Sequence, residues 1–295
     1  MSEPVIIEAA INGATRKSHN PNVPITEDEL VADAHACFEA GASIIHHHLA
    51  DADLSGEEAA EQYLGVWRRV LPDRPDALWY PTINIGAHEH WYDHIAPLGR
   101  SGLLRMSLSD PGSVNFGRRR DGLPSGSYVY TNSFDDIAHQ MDLCHEFRLG
   151  PSIAIYEPGF LRAVLAYHEA GRLPAGCFVK LYLSSDRGLG GAPFGLPPTV
   201  TALAAYLELL EGTGLAWAVS AVGDDLGRTE VCQAALEAGG HLHLGLEFYR
   251  GDRTPTNAEL VAEAVDVCRR AGRPIASCAQ AASVLGLPRD RAMMV

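Results

Sequence analysis

Short apolar runs alternate with helical patterns along nearly all of this 295-residue chain. That regular beat constrains the fold more than any single motif. Strand candidates lie at 5–11, 43–49, 77–83, 103–108, 153–156, 177–182, 215–219 and 241–246, with a further short run at 128–130 that reads as an insertion or extension. Between them, Thr26 and Glu29 form a capping box ahead of Leu30, Ala34, Cys37 and Phe38 at helical spacing, and Gly41 stops that helix. The same logic predicts helices near 57–70, 133–147, 160–170, 199–210, 229–238 and 258–271. Eight strands, most followed by helices, predict an α/β fold of the (β/α)8 TIM barrel type, a single domain over 1–295. A doubly wound open sheet is the rival. It loses ground because the first turn, Asn12-Gly13-Ala14-Thr15, is no GxGxxG fingerprint.

Composition enters as a set of exclusions. No apolar run reaches 18 residues, so no membrane span is expected. The opening residues Ser2 and Glu3 lead into a short strand and do not read as a signal peptide. With 37 acids against 23 bases the net charge is −14, which argues against a nucleic-acid surface. Six cysteines without CxxC spacing read as reduced, mostly buried thiols, and a cytoplasmic location is expected.

The segment Ile44-Ile45-His46-His47-His48-Leu49 carries the most chemistry. On a strand, side chains alternate faces, so His46 and His48 project together and His47 projects oppositely. Two such imidazoles suit one divalent ion; they equally suit an ordinary His-rich strand end. The last strand reads His241-Leu242-His243-Leu244-Gly245-Leu246-Glu247, with its odd positions on one face. In a closed barrel only the first strand separates the eighth from the second, so Glu247 comes within reach of the same ion. Two imidazoles and a carboxylate leave positions open for substrate, the mark of a catalytic metal site.

The chain resembles the β-keto acid cleavage enzymes, typified by 3-keto-5-aminohexanoate cleavage enzyme. The resemblance rests on the Ala-Ala-Ile-Asn-Gly-Ala opening strand, Pro24 with Thr26 and Glu29, Ala40-Gly41-Ala42 leading to His46-x-His48, Gly112-Ser113-Val114-Asn115-Phe116, Gly239-Gly240-His241 leading to Gly245-Leu246-Glu247, and Asn257-Ala258-Glu259-Leu260-Val261. It implies a zinc-dependent (β/α)8 barrel, usually a homo-oligomer, taking a β-keto acid and acetyl-CoA to acetoacetate and a new CoA ester. By that resemblance His46, His48 and Glu247 hold zinc or another divalent metal, and Thr82 and Ser107 bind the substrate carboxylate.

Departures accompany the match. Phe248 stands where the family usually has Asp, His243 where it has Arg, Ala50 where it has Arg, and Thr15 where it often has an acidic residue. His243 lies about 13 Å of strand below Glu247 and is too short to replace the Arg. Candidate bases are therefore His88 and His90 in the loop after the third strand, with His243 as a further candidate; a solvated polar loop is the plainer reading of the first two. Asn12 shares a face with Glu8 and is a candidate substrate or supporting hydrogen-bond donor, while an inward Glu8 needs a partner. Gly188-Leu189-Gly190-Gly191 beside Arg187, and the run Arg118-Arg119-Arg120, are candidates for a CoA phosphate, or a flexible turn and a solvated basic loop. Three functions stay open: the family reaction; the same metal barrel as a CoA-independent lyase, aldolase-type enzyme or hydrolase; and an inactive metabolite-binding barrel.

Overall fold

A computed structural model describes residues 3–288 of the protein. The chain runs β1 (Ile7–Ala10), α1 (Glu27–Ala40), β2 (Ile44–His47), α2 (Gly56–Val70), β3 (Leu78–Pro81), α3 (Ile95–Arg100), β4 (Met106–Ser109), β5 (Val114–Arg120), β6 (Leu123–Tyr130) and α4 (Phe134–Glu146). It continues through β7 (Gly150–Ile155), α5 (Pro158–Glu169), β8 (Phe178–Ser184), α6 (Val200–Leu210), β9 (Ala216–Val222), α7 (Glu230–Glu237), β10 (His241–Leu244), α8 (Asn257–Arg270) and α9 (Cys278–Leu285).

Eight of the strands form one parallel sheet in the order β3-β2-β1-β10-β9-β8-β7-β4. Its two ends meet where β3 and β4 pack side by side, and the indole of Trp79 donates to the Leu103 carbonyl at 3.2 Å across that seam. The result is a nearly closed (β/α)8 barrel. Parallel strands wrapped by helices are buried on both faces, and the barrel strands are apolar for that reason. The pairing of β1 with both β10 and β2 puts the ends of the second and last strands either side of the first.

The hairpin of β5 and β6 is the departure from the regular beat. The predicted run 128–130 is the end of β6; its partner strand, largely exposed and arginine-rich, carries no apolar alternation to announce it. Two short helices, α3 and α9, were likewise not expected. The strand expected at 103–108 is shorter and later, and the one expected at 153–156 begins at Gly150.

Helix starts follow the expected chemistry. Thr26 accepts from the Glu29 backbone while the Glu29 side chain reaches back to the Thr26 N–H, an arrangement worth about 1 kcal/mol. In α2 the buried residues Tyr63, Trp67 and Val70 recur at helical spacing, and the first two pack on His47 at the outer face of β2. There the Trp67 indole donates to His47 Nε2 at 3.0 Å, so His47 points outward, opposite to its neighbours. All six cysteines are free and buried.

Candidate active site

His46 and His48 leave the end of β2 toward the barrel interior, and Glu247 enters from the turn after β10. His48 Nε2 lies 3.1 Å from Glu247 Oε1, and His46 Nε2 lies 3.4 Å from Oε2. One donor atom from each residue falls within 4.8 Å of the others. Two of the separations already match the spacing of about 3.3 Å between neighbouring ligands of a tetrahedral zinc-sized ion. His48 Nε2 and Glu247 Oε2 are buried yet make no aligned hydrogen bond. Buried polar atoms without partners are costly, and a shared cation supplies the partner both lack. The residues present fit a divalent metal.

The surrounding chain aims these donors. His46 Nδ1 donates to the Tyr80 carbonyl at 3.2 Å, which leaves the Nε2 lone pair free, and the Tyr80 ring stacks on the imidazole at 4.4 Å. Burial draws the His46 pKa down to about 3 against the pull of Glu247, keeping the imidazole in its neutral, ligand form. Burial alone would raise the Glu247 carboxyl, but His48 and His46 hold it at about 2. The Glu247 turn needs two glycines. A Cβ at Gly245, whose φ is +132°, would sit 2.1 Å from the Ala10 carbonyl oxygen, and one at Gly13 would sit 2.2 Å from Glu247 Cγ. Thr15 ties the turn down: its hydroxyl donates to the Leu246 carbonyl at 2.8 Å and lies 3.1 Å from that of Glu247.

A cavity of about 370 Å³ opens over the three residues. Tyr80, Phe116, Tyr128, Tyr130, Tyr156, Tyr182 and Phe248 make its wall largely aromatic, and Lys180, Arg250 and Asp110 are its charged members besides Glu247. Thr82 also lines it.

Other expected site residues lie elsewhere. Asn12 does not line the cavity; its amide donates to the carbonyls of His48 (3.0 Å) and Pro24 (3.2 Å), and its oxygen accepts from the N–H groups of His48 and Gly13. It is a clamp on the backbone that carries His48. Ser107 faces α4, beside Cys144, because the interior positions of β4 and its extension are Leu108 and Asp110. His88 and His90 are exposed, with His88 Nε2 donating to the Thr131 carbonyl and His90 paired with Asp93 at 2.7 Å. The solvated-loop reading holds for both. His243 is buried 3.3 Å from Glu8 and stacked on Tyr182, out of the cavity wall.

Glu8 does point inward, and it has partners. Lys180 Nζ is 3.4 Å from its carboxylate, the Tyr80 hydroxyl donates to it, and His243 closes the cluster. Burial would raise the Glu8 carboxyl; Lys180 and His243 overcome that and hold it at about 2. Sequence reasoning missed Lys180, although a lone lysine in the apolar run Phe178-Val179-Lys180-Leu181-Tyr182 was a visible signal. It missed Asp110 as well. The two groups offered to a CoA phosphate spend much of their charge locally, since Arg187 pairs with Asp224 (2.7 Å) and Asp252 (3.3 Å), and Arg119 with Asp186 (2.6 Å).

Comparison with known proteins identifies the family. A model of the beta-keto acid cleavage enzyme family matches residues 4–287. The chain belongs to that family. It is 29% identical to a 3-oxoadipate:acetyl-CoA acetyltransferase of Cupriavidus necator, over 98% of this chain and 96% of the relative. It is 26% identical to a 3-keto-5-aminohexanoate cleavage enzyme of Fusobacterium nucleatum, over 98% of this chain and 100% of the relative. Among solved structures, the apo form of ObcA superposes with a TM-score of 0.68 at 15% identity, covering 90% of this chain and 66% of that one, a likeness of fold. The family member described here is accordingly a β-keto acid cleavage-type enzyme built around a candidate metal triad. Among its described residues no helix is long and apolar enough to cross a membrane.

Proposed function

We propose that this enzyme cleaves a β-keto acid with acetyl-CoA, giving acetoacetate and the CoA ester of the remaining acyl group, with a zinc ion held by His46, His48 and Glu247. The observation that carries the reading is the convergence of those three residues beneath a substrate-sized cavity in a chain of this family. A divalent ion bound there supplies Lewis-acid polarisation of a keto oxygen. The protein's own contributions are separable from it. The Tyr80 carbonyl fixes the His46 tautomer, and Asn12 fixes the backbone of His48. Arg250 attracts the substrate carboxylate, Thr82 offers a hydroxyl in the same cavity wall, and the aromatic wall keeps water from the reacting carbons.

A second reading keeps the metal and the keto acid but dispenses with CoA. It is favoured by Phe248, His243 and Ala50, which replace the groups expected to carry the family's base. The deciding experiment mixes purified, metal-analysed protein with a panel of β-keto acids, with and without acetyl-CoA, and follows products by mass spectrometry. A new CoA ester supports the family reaction. Keto-acid loss independent of acetyl-CoA supports the second reading, and the absence of any turnover leaves a metabolite-binding barrel.

A further inference from the structure

The family reaction needs a group that removes a proton from the carbon between the keto and carboxylate groups. In this chain the position after Glu247 is Phe248, packed against Tyr182 at 5.0 Å and His243 at 5.6 Å, so no proton acceptor stands there. The cavity wall narrows the alternatives. Its histidines are His46 and His48, both part of the metal triad, and its carboxylates are Glu247 and Asp110. Lys180 is engaged by Glu8 and by the Tyr80 hydroxyl at 2.5 Å. The phenols of Tyr80, Tyr130, Tyr156 and Tyr182 are pushed well above their ordinary range by burial and make poor acceptors.

Asp110 remains. It follows directly on β4, at the C-terminal end of a barrel strand, where catalytic groups of this fold collect. Its placement is built: the backbone N–H donates to Gln140 Oε1 at 2.9 Å, and the Tyr130 hydroxyl donates to Oδ2. Gln140 is itself held, its amide donating to the Tyr92 hydroxyl at 2.9 Å and to Asn132 at 3.2 Å. We propose that Asp110 is the general base of this enzyme, taking the α-proton of the bound β-keto acid. The inference rests on the reading under Proposed function for its substrate class. In the step, the α-carbon–hydrogen bond breaks, its electron pair forms the enolate, and the proton moves to the Asp110 carboxylate. The same proton returns to carbon when acetoacetate is released as its enolate, so the residue turns over unchanged.

The electrostatics suit the task. Burial pushes the Asp110 carboxyl up to about 6, with Tyr130 and Lys180 drawing it down, Glu247 pushing it up and His48 drawing it down. Tyr92 and Tyr156 are the other titratable groups whose charge Asp110 affects from neighbouring elements. A base poised near neutrality combines an ionised ground state with a useful proton affinity.

The test is exchange of the α-hydrogens of acetoacetate with deuterated solvent, followed by proton NMR on the metal-loaded enzyme without acetyl-CoA. The wild-type protein is expected to exceed the buffer rate, and Asp110→Asn to lose at least about 100-fold of that excess. Bound metal and melting temperature should stay at wild-type values in the variant. Tyr130→Phe should retain exchange with its acid limb moved to higher pH, because the lost hydroxyl favours ionised Asp110. In the metal-free protein, infrared difference titration should show carboxyl intensity with a midpoint near 6 from Asp110 and Asp33 together, and Asp110→Asn should remove the Asp110 share and leave that of Asp33. Wild-type exchange in Asp110→Asn, or no wild-type exchange above buffer, overturns the proposal. If no CoA ester forms while exchange still depends on Asp110, the proposed reaction falls and the base assignment stands. A CoA ester made at wild-type rate by Asp110→Asn has the opposite meaning.

Discussion

Two polar layers occupy the barrel interior, and they are built on opposite principles. At the rim, His46, His48 and Glu247 approach one another with buried atoms left unpartnered. Beneath them, Glu8, Lys180, Tyr80 and His243 largely satisfy one another's charge within the protein. The rim stores unmet coordination for something that arrives; the lower layer stores charge already balanced. Polar groups in a barrel core thus need not share a purpose: Glu8 Oε2 and both His243 nitrogens are unpartnered in the lower layer too, and what tells the layers apart is the buried cation, Lys180, beside the carboxylate of the lower one.

Removing a rim ligand should have the largest consequence. His46→Ala or Glu247→Ala is expected to abolish bound metal by elemental analysis and to lower turnover at least 100-fold (roughly, for loss of a metal's Lewis-acid role). Phe248→Ala should keep the metal. Full zinc occupancy in His46→Ala would dissolve the distinction between the layers, because the rim would then be as self-sufficient as the floor.

The lower layer should fail in a different currency. Lys180→Met leaves the buried Glu8 carboxylate with the Tyr80 hydroxyl and His243 but no lysine cation, and breaking a buried pair this way costs about 3–5 kcal/mol of folding stability. Glu8→Gln with Lys180→Met should cost less than the two single changes added together, read by urea denaturation. Strict additivity would mean that the 3.4 Å approach carries no coupling.

The same contrast explains what could be read in advance. His46 and His48 were legible because strand alternation is strict and two histidines at that spacing are unusual. Glu247 followed from barrel order, which sets the last strand one place from the second. Ser107 was carried over from the resemblance alone, and because both faces of a parallel strand are buried, polarity along Met106-Ser107-Leu108-Ser109 offered no check on which side faces in. Lys180 and Asp110 acquire meaning only from partners far along the chain, Glu8 and Tyr80 for the first and Tyr130 and Gln140 for the second. The β5–β6 hairpin, mostly exposed, had no buried face to leave a pattern.

Asn12 joins the rim to the backbone and should show an intermediate effect. Asn12→Ala strips partners from the backbone N–H and carbonyl of His48 and from the Pro24 carbonyl. A stability loss of about 2 kcal/mol is expected, together with a 10- to 100-fold fall (roughly) in metal affinity as the imidazole loses its fixed origin. Metal affinity unchanged to within twofold would show that the rim is organised by the metal itself, not by the clamp.

The smallest effect lies outside both layers and calibrates them. Asp33 on α1 accepts from the Asn257 amide at 2.7 Å at the start of α8, without a cation among the groups that shift it. Burial raises its carboxyl to about 6, against the pull of Asn257 and Cys37, from an ordinary 3.8. Between those two values the folded protein therefore holds a proton that the unfolded chain has released. This contribution to stability is fully present below about 3.8 and is lost as pH rises through about 6, the reverse of Glu8, whose depressed carboxyl contributes most above its ordinary value and loses that contribution as pH falls toward 2. Discounted for partial exposure, the loss at Asp33 amounts to about 1–2 kcal/mol. Asp33→Asn keeps an oxygen for Asn257 but cannot ionise, so the stability difference between variant and wild type should grow from pH 4 to pH 7 in urea titrations. A difference constant over that range would show that Asp33 is ionised as easily in the fold as outside it, and that an unpaired carboxylate is tolerated here without the cations Glu8 requires.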